Sequence, residues 1–258
     1  MDSPSDVQIP KLRCSPFHQS LGADPIGSAA CYDAFLCVEV PLPWQRDISM
    51  HEPFASMCEA PSAAISGGDG RRWRPQGLVP QDSVPQGLVP DPDAQVESGE
   101  TARVQVTAWE PLMSDGAETG VGPMRRTDWR LDSGRVNDLA RALVDGSPGV
   151  LVPFESNLVT ISAQAFYLCT HGQRDVCCGS MGMDLLTRLS GRGSSELDFT
   201  QNSSEVTIGA DVELRRCSHT GGHRFAATGI SMPDGYAWAH LDVQTSSEPI
   251  TQRSVHPK

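Results

Sequence analysis

Two segments of the sequence contain most of the residues that could perform metal or redox chemistry. The first is CTHGQRDVCC, from Cys169 to Cys178, and the second is CSHTGGH, from Cys217 to His223. Thiolates and neutral imidazoles together are the ligands of zinc or of an iron–sulfur cluster. Structural zinc usually takes ligand pairs two to four residues apart, whereas eight residues separate Cys169 from Cys178. The wider spacing favours a loop that surrounds something larger than one ion.

Neighbouring residues leave several alternatives open. Cys177 could replace Cys178 as a ligand, and Cys217 could be a further one. A packed small side chain is the simpler interpretation of both. His171 could be a ligand as well, although a hydrogen bond within the loop is the simpler role for it.

The elements that position these segments can be predicted from hydrophobic patterning. Both segments follow stretches typical of strands, and the glycines after Cys169 indicate a loop before a short helix. Asp234-Gly235 is a hairpin turn signal. The C-terminal half thus predicts strands at 165–169, 206–216, 224–232 and 236–243 and a helix at 183–189. This order is typical of a thioredoxin-like α/β domain.

The N-terminal half predicts fewer elements. Strands are expected within 31–44 and at 103–109, and a helix is expected at 132–144. Residues from about 60 to 100 are rich in Gly, Pro, Ser and Asp, and PQGLVP occurs there twice. Such a composition predicts a disordered insertion, most simply a linker. We expect an α/β (α+β) protein with a smaller N-terminal lobe at 1–148 and a thioredoxin-like domain at 149–258.

Composition limits the classes of partner. The formal net charge is −12, so nucleic acid and an anionic membrane are not expected as partners, whereas a basic face on a redox protein would be complementary. No apolar stretch is long enough to span a bilayer and no targeting segment is evident. We therefore expect a cytoplasmic protein, in which the 8 cysteines are metal ligands, redox groups or core residues rather than disulfides.

The two loops also carry a family resemblance. CTHGQRDVCC and CSHTGGHRFAATG, followed by MPDG, resemble the sucrase/ferredoxin-like family of thioredoxin-like ferredoxins. The N-terminal segment CSPFHQSLGADPIGSAACYDAFLCVEVPLPWQRDI resembles it more loosely. The resemblance implies a [2Fe–2S] cluster whose ligands are Cys169, Cys178, His219 and His223.

We therefore expect an iron–sulfur electron-transfer protein, more an electron carrier than an enzyme with its own substrate pocket. Its partner would be a reductase or an electron acceptor. Two alternatives remain: a thiol-dependent oxidoreductase of thioredoxin-like fold, and a binding module stabilised by zinc. A thiol enzyme is less favoured because the C-x-x-C motif at a helix start is missing.

Overall fold

The protein folds around one mixed sheet with few helices. The structure is a computed structural model, and it describes residues 14–81, 103–112, 123–161, 164–189 and 212–242. The strands are β1 (Ala34–Glu39), β2 (Ile65–Ser66), β3 (Arg72–Leu78), β4 (Arg103–Pro111), β5 (Met124–Asp132), β6 (Leu158–Val159), β7 (Gln164–Cys169), β8 (Val212–Cys217), β9 (Gly229–Met232) and β10 (Tyr236–Trp238). The helices are α1 (Cys14–Ser20), α2 (Val136–Asp145) and α3 (Val176–Leu189).

Within the described residues the sheet has ten strands in the order β10-β9-β7-β8-β3-β1-β4-β5-β6, with β2 paired to β3. The pairs β1–β3 and β7–β8 are parallel, and the other pairs are antiparallel. This mixed sheet confirms the α+β class. The thioredoxin-like layout stays a prediction. The division at residue 148 also stays a prediction, and strands from both sides of that residue share the sheet.

The sheet curls strongly, so that strands far apart in its order touch each other. Four steps separate β4 from β7, which in a flat sheet is about 19 Å. Nevertheless, the Trp109 indole N–H on β4 donates to the Tyr167 hydroxyl on β7 over 2.9 Å. The Met124 N–H of β5 likewise donates to the Pro233 carbonyl in the β9–β10 turn over 2.8 Å. The concave face therefore encloses one core shared by both halves, which includes Phe35, Cys37, Trp109, Tyr167, Cys169, Cys178, Cys217 and Met232.

A buried network of charges closes the same face. Arg215 on β8 pairs with Glu39 of β1 at 2.8 Å and with Glu213 at 2.9 Å. Glu213 also pairs with Arg126 of β5 at 2.5 Å, and Arg126 pairs with Asp128 at 2.8 Å. All five side chains are at most 10% exposed. Buried charges are tolerated only when they are paired in this way, so the network fixes how β8 lies against β5.

Two helices cover the convex face. Helix α2 buries Val136, Leu139 and Leu143 at helical spacing, and Gly146 ends it in a left-handed conformation at φ 67°. The predicted helix at 132–144 is thereby confirmed apart from its start. Helix α3 packs Leu185 and Leu189 against β7. None of the helices among the described residues is long and apolar enough to cross a lipid bilayer.

The expected disordered insertion at about 60–100 is wrong for its first part. Residues 65–66 and 72–78 are strands, and the first PQGLVP copy begins on β3. Trp73 is fully buried there, and β3 lies between β1 and β8. Gln76 of this strand is buried as well, and its side-chain N–H group donates to Ser218. Residues 82–100, with most of the second PQGLVP copy, lie outside the described residues.

Candidate metal centre

The two cysteine- and histidine-containing loops lie at one edge of the sheet. Strands β7 and β8 are parallel, with Cys169 in register with Cys217. Parallel strands end at the same edge, so the chain beyond each strand leaves the sheet at the same place. The Thr170 N–H donates to the Cys217 carbonyl over 3.1 Å and extends the pairing by one step. This confirms that both loops follow strands at one end of the sheet.

Helix α3 brings Cys178 back to Cys169. The predicted loop up to residue 182 is wrong here, because the helix begins at Val176. An Asp175 carboxylate oxygen accepts the Cys177 N–H over 2.8 Å, as in an N-terminal cap. The glycines of this segment permit close packing rather than a loop. A Cβ at Gly182 would lie 2.0 Å from the Cys169 carbonyl oxygen.

Gly179 makes the same kind of approach one turn earlier. A Cβ at Gly179 would lie 2.5 Å from the Gly172 Cα, well inside van der Waals contact. The first turns of helix α3 thus pack directly against the backbone of the loop that follows Cys169. Because both contacts are with backbone atoms, no rotation of a neighbouring side chain could accommodate a larger residue.

Three of the four predicted ligands meet at one point. The donor atoms of Cys169, Cys178 and His219 all lie within 4.8 Å of one another. The His219 Nδ1 atom is 3.9 Å from the Cys169 sulfur and 3.6 Å from the Cys178 sulfur. Both thiols are fully buried, whereas His219 is partly exposed. Cys177 and Cys217 are buried outside this group.

The fourth predicted ligand, His223, lies beside the group but not within it. Its ring centroid is 6.1 Å from that of His219, with the ring planes 35° apart. His223 is exposed and begins a short 3₁₀ turn. Gly221 and Gly222 before it have φ angles of 90° and 63°, which a residue with a side chain adopts at a cost. These glycines turn the chain so that the two imidazoles lie near each other, and ligation by His223 stays a prediction.

The two thiols influence each other's protonation. A hydrogen bond from the Cys178 thiol, supported by His219, holds the pKa of Cys169 well below its usual range although burial opposes this. The same hydrogen bond, together with burial and the negative charge of Cys169, raises the pKa of Cys178. The pair therefore favours one thiolate with one thiol. Burial raises the pKa of Cys217 well above its usual value, so that thiol stays protonated.

His171 positions the second loop instead of completing the donor group. Its Nδ1 atom accepts the His219 backbone N–H over 3.2 Å. Its Nε2 atom is 2.7 Å from the Gln45 carbonyl oxygen, which must accept a proton from it. The ring is thus the neutral Nε2–H tautomer, and it packs against the Trp44 ring in a T-shaped arrangement at 5.2 Å between centroids. Both ring nitrogens are used, and the interpretation as a loop hydrogen bond is favoured over ligation.

Residues of β3 also position the second loop, and the sequence patterns contain no sign of them. The Ser218 hydroxyl accepts the Gly77 N–H over 2.9 Å, and the Ser218 N–H donates to the Gly77 carbonyl over 2.8 Å. The Gln76 amide donates to the carbonyl of Ser218 over 2.8 Å. Gln76 and Gly77 lie in the segment whose Pro/Gly-rich composition predicts disorder, so that composition hides their contact with the second loop. The small, polar Ser218 between Cys217 and His219 is the feature of the sequence that could have indicated it.

A comparison with known protein families gives a match over most of the chain. The family model described as sucrase/ferredoxin-like covers residues 25–257 of the chain. This range contains both loops, helix α3 and the whole described sheet. No curated protein and no solved structure matches the chain significantly. The chain therefore belongs to the sucrase/ferredoxin-like family.

Proposed function

We propose that the chain binds a [2Fe–2S] cluster through Cys169, Cys178, His219 and His223 and functions in electron transfer. The observation that carries the proposal is the meeting of two buried sulfurs and an imidazole nitrogen within 4.8 Å. Thiolates and neutral imidazoles are a known ligand set for such a cluster. When bound, the cluster would accept and release single electrons.

The burial of the donors supports this role. The sulfurs are closed off by the sheet and by helix α3, while His219 is partly exposed and His223 is exposed. The imidazole side would therefore face a redox partner, and the sulfur side would be kept from water. The partner we propose is a protein, a reductase or an electron acceptor, that approaches from the histidine side.

The protein's own hydrogen bonds hold the residues that would bind such a centre in place. The Cys169 N–H donates a hydrogen bond to the Thr228 carbonyl over 2.9 Å, so it does not donate to a sulfur of the cluster. The His219 backbone is held from two sides, since His171 accepts its N–H and Arg74 donates to its carbonyl over 3.3 Å. These contacts fix the loop that presents the imidazole before any group is bound.

A structural zinc site is the second candidate, and a distance favours it. Tetrahedral zinc with bonds of about 2.3 Å to sulfur and 2.0 Å to nitrogen places such donors roughly 3.5 Å apart. The two sulfur–nitrogen distances of 3.6 and 3.9 Å are close to this value. In that case the metal would stabilise the fold and carry no electron.

Metal analysis and absorption spectra distinguish these candidates. Protein purified without oxygen should contain about two irons and two sulfides per chain, with visible bands that bleach on reduction by dithionite. Cys178→Ser should lose this absorption, whereas Cys177→Ser, its matched control, should keep it. His219→Cys and His223→Cys should shift the spectrum if each histidine binds iron.

Other outcomes would replace the proposal. About one zinc and no colour would establish the structural site. Protein without metal after anaerobic reconstitution would instead favour the thiol oxidoreductase, since Cys169 and Cys178 are close enough to react with each other. Equal loss of iron from Cys177→Ser and Cys178→Ser would contradict the assignment of the ligand pair.

A further inference from the structure

A cleft of about 220 Å³ opens beside the candidate metal centre. Its walls come from β3, from the chain after β1 and from the two ligand loops. The ionisable residues that line it are Tyr32, Arg46, Asp47, Arg74, Arg174 and His219. A volume of this size is below that of sites for drug-sized ligands, and it suits a small polar molecule.

Arg74 is the unusual residue of this cleft. It is only 8% exposed, and within the described ranges it forms no ion pair with a carboxylate. Its one hydrogen bond there runs from Nη2 to the His219 carbonyl at 3.3 Å, and its guanidinium stacks on the Tyr32 ring at 5.0 Å. A guanidinium has five N–H donors. Among the described residues, Arg74 is therefore a buried cation with no carboxylate partner and with most of its N–H donors unused.

The remaining charges of the cleft are also mostly positive. Arg46 is exposed, and the Arg174 side chain is 33% exposed. Asp47 is the only carboxylate among the lining residues, and its oxygens already accept hydrogen bonds from Ser49 and Ser62. Arg174 lies 3.5 Å from it. Three cations thus converge with one anion in a chain whose net charge is −12, which makes this cleft a local positive potential.

We propose that the cleft binds a small oxyanion of the phosphate class, with Arg74 at its base and Arg46 and Arg174 at its mouth. Guanidinium groups bind phosphate oxygens through paired, charge-assisted hydrogen bonds. A bound anion would accept hydrogen bonds from the Arg74 N–H groups that the described residues leave unused. The inference does not rest on the proposed cluster, because the arginines and the cleft exist whatever metal the neighbouring thiols bind.

Isothermal titration of the full chain with inorganic phosphate tests the proposal. Titration in a low-salt, phosphate-free buffer should show saturable binding to one site. Arg46→Gln and Arg174→Gln should each weaken it about tenfold, as expected for one lost charge-assisted hydrogen bond. Arg141→Gln is the matched control, since Arg141 is exposed on α2 and does not line the cleft; it should bind like the wild type.

Each contrary result overturns the proposal. The first is the absence of saturable binding, and the second is equal affinity of all three variants. A response reproduced by chloride at the same ionic strength would show screening alone. Binding of a polyglutamate peptide without any binding of phosphate would make the cleft a protein-docking surface instead. Arg74→Gln is added only if its circular dichroism matches the wild type, and it should then abolish phosphate binding.

Discussion

Replacement of Gly182 by alanine should disrupt the contact on which the cysteine pair depends. The new Cβ would lie 2.0 Å from the Cys169 carbonyl oxygen and 3.1 Å from its carbonyl carbon. A relaxed contact needs about 3.4 Å, so helix α3 and β7 must separate by about 1.4 Å. Overpacking of this kind costs about 1–3 kcal/mol, and the obstacle is backbone, which places the cost at the upper end. Alanine regains about 1 kcal/mol of helix propensity.

The expected net loss is therefore about 2 kcal/mol in the free energy of unfolding. Urea denaturation followed by tryptophan fluorescence measures it, and the metal content should fall in the same preparation because Cys178 moves away from Cys169. Gly134→Ala is the matched control: Gly134 is exposed, with no atom within 4 Å of the position that a Cβ would take, and should change stability by less than about 0.5 kcal/mol. A Gly182→Ala protein with the stability and metal content of this control would refute the reasoning.

Two further predictions concern charge. Arg215→Met should destabilise the fold by about 3–5 kcal/mol, because it leaves the buried Glu39 carboxylate without its cation and Glu213 with Arg126 alone. Arg188→Met removes an ion pair about 60% exposed and should cost less than about 1 kcal/mol in the same urea assay. Equal losses would contradict the role of burial. Partial burial raises the pKa of Asp47, but hydrogen bonds, first that of Ser62, outweigh it and lower the pKa overall. A folded pKa below the unfolded value of about 3.9 gives stability that is complete above that pH and lost as pH falls through the folded pKa. Asp47→Asn should therefore be less stable than wild type at neutral pH and converge with it in acid; a constant difference down to about pH 2 would contradict this linkage.

The parts of the fold that patterning could predict are those in which burial is apolar. Strands β1, β4 and β7 and helix α2 place apolar side chains in a regular period, and they lie where the patterns indicate. Strand β5 reads MRRTDWRLD and was not predicted. Two of its charged residues are buried in ion pairs across the concave face. A single sequence cannot distinguish a charge that is buried with a partner from one that faces water.

The candidate site was predictable to a similar extent. Cysteine and histidine types and the two flanking strands indicated a shared edge, and Cys169, Cys178 and His219 meet there. The choice of Cys178 over Cys177 depends on the direction of side chains on α3, which the loop prediction did not include. The bridge from His171 to Gln45 spans 126 residues of sequence. Contacts at such separation follow from the curl of the sheet, which no local pattern records.

The unequal exposure of the donor group determines the direction from which the centre can be filled or emptied. Sheet and helix close the cysteine side completely, whereas the imidazoles border solvent. A metal or its carrier must arrive past His219 and reach the thiols last. A chelator would act from the same side and compete with nitrogen before sulfur. Alkylating reagents would reach Cys169 and Cys178 from the same side, so that the rate of labelling of the metal-free protein measures how far the imidazole side opens.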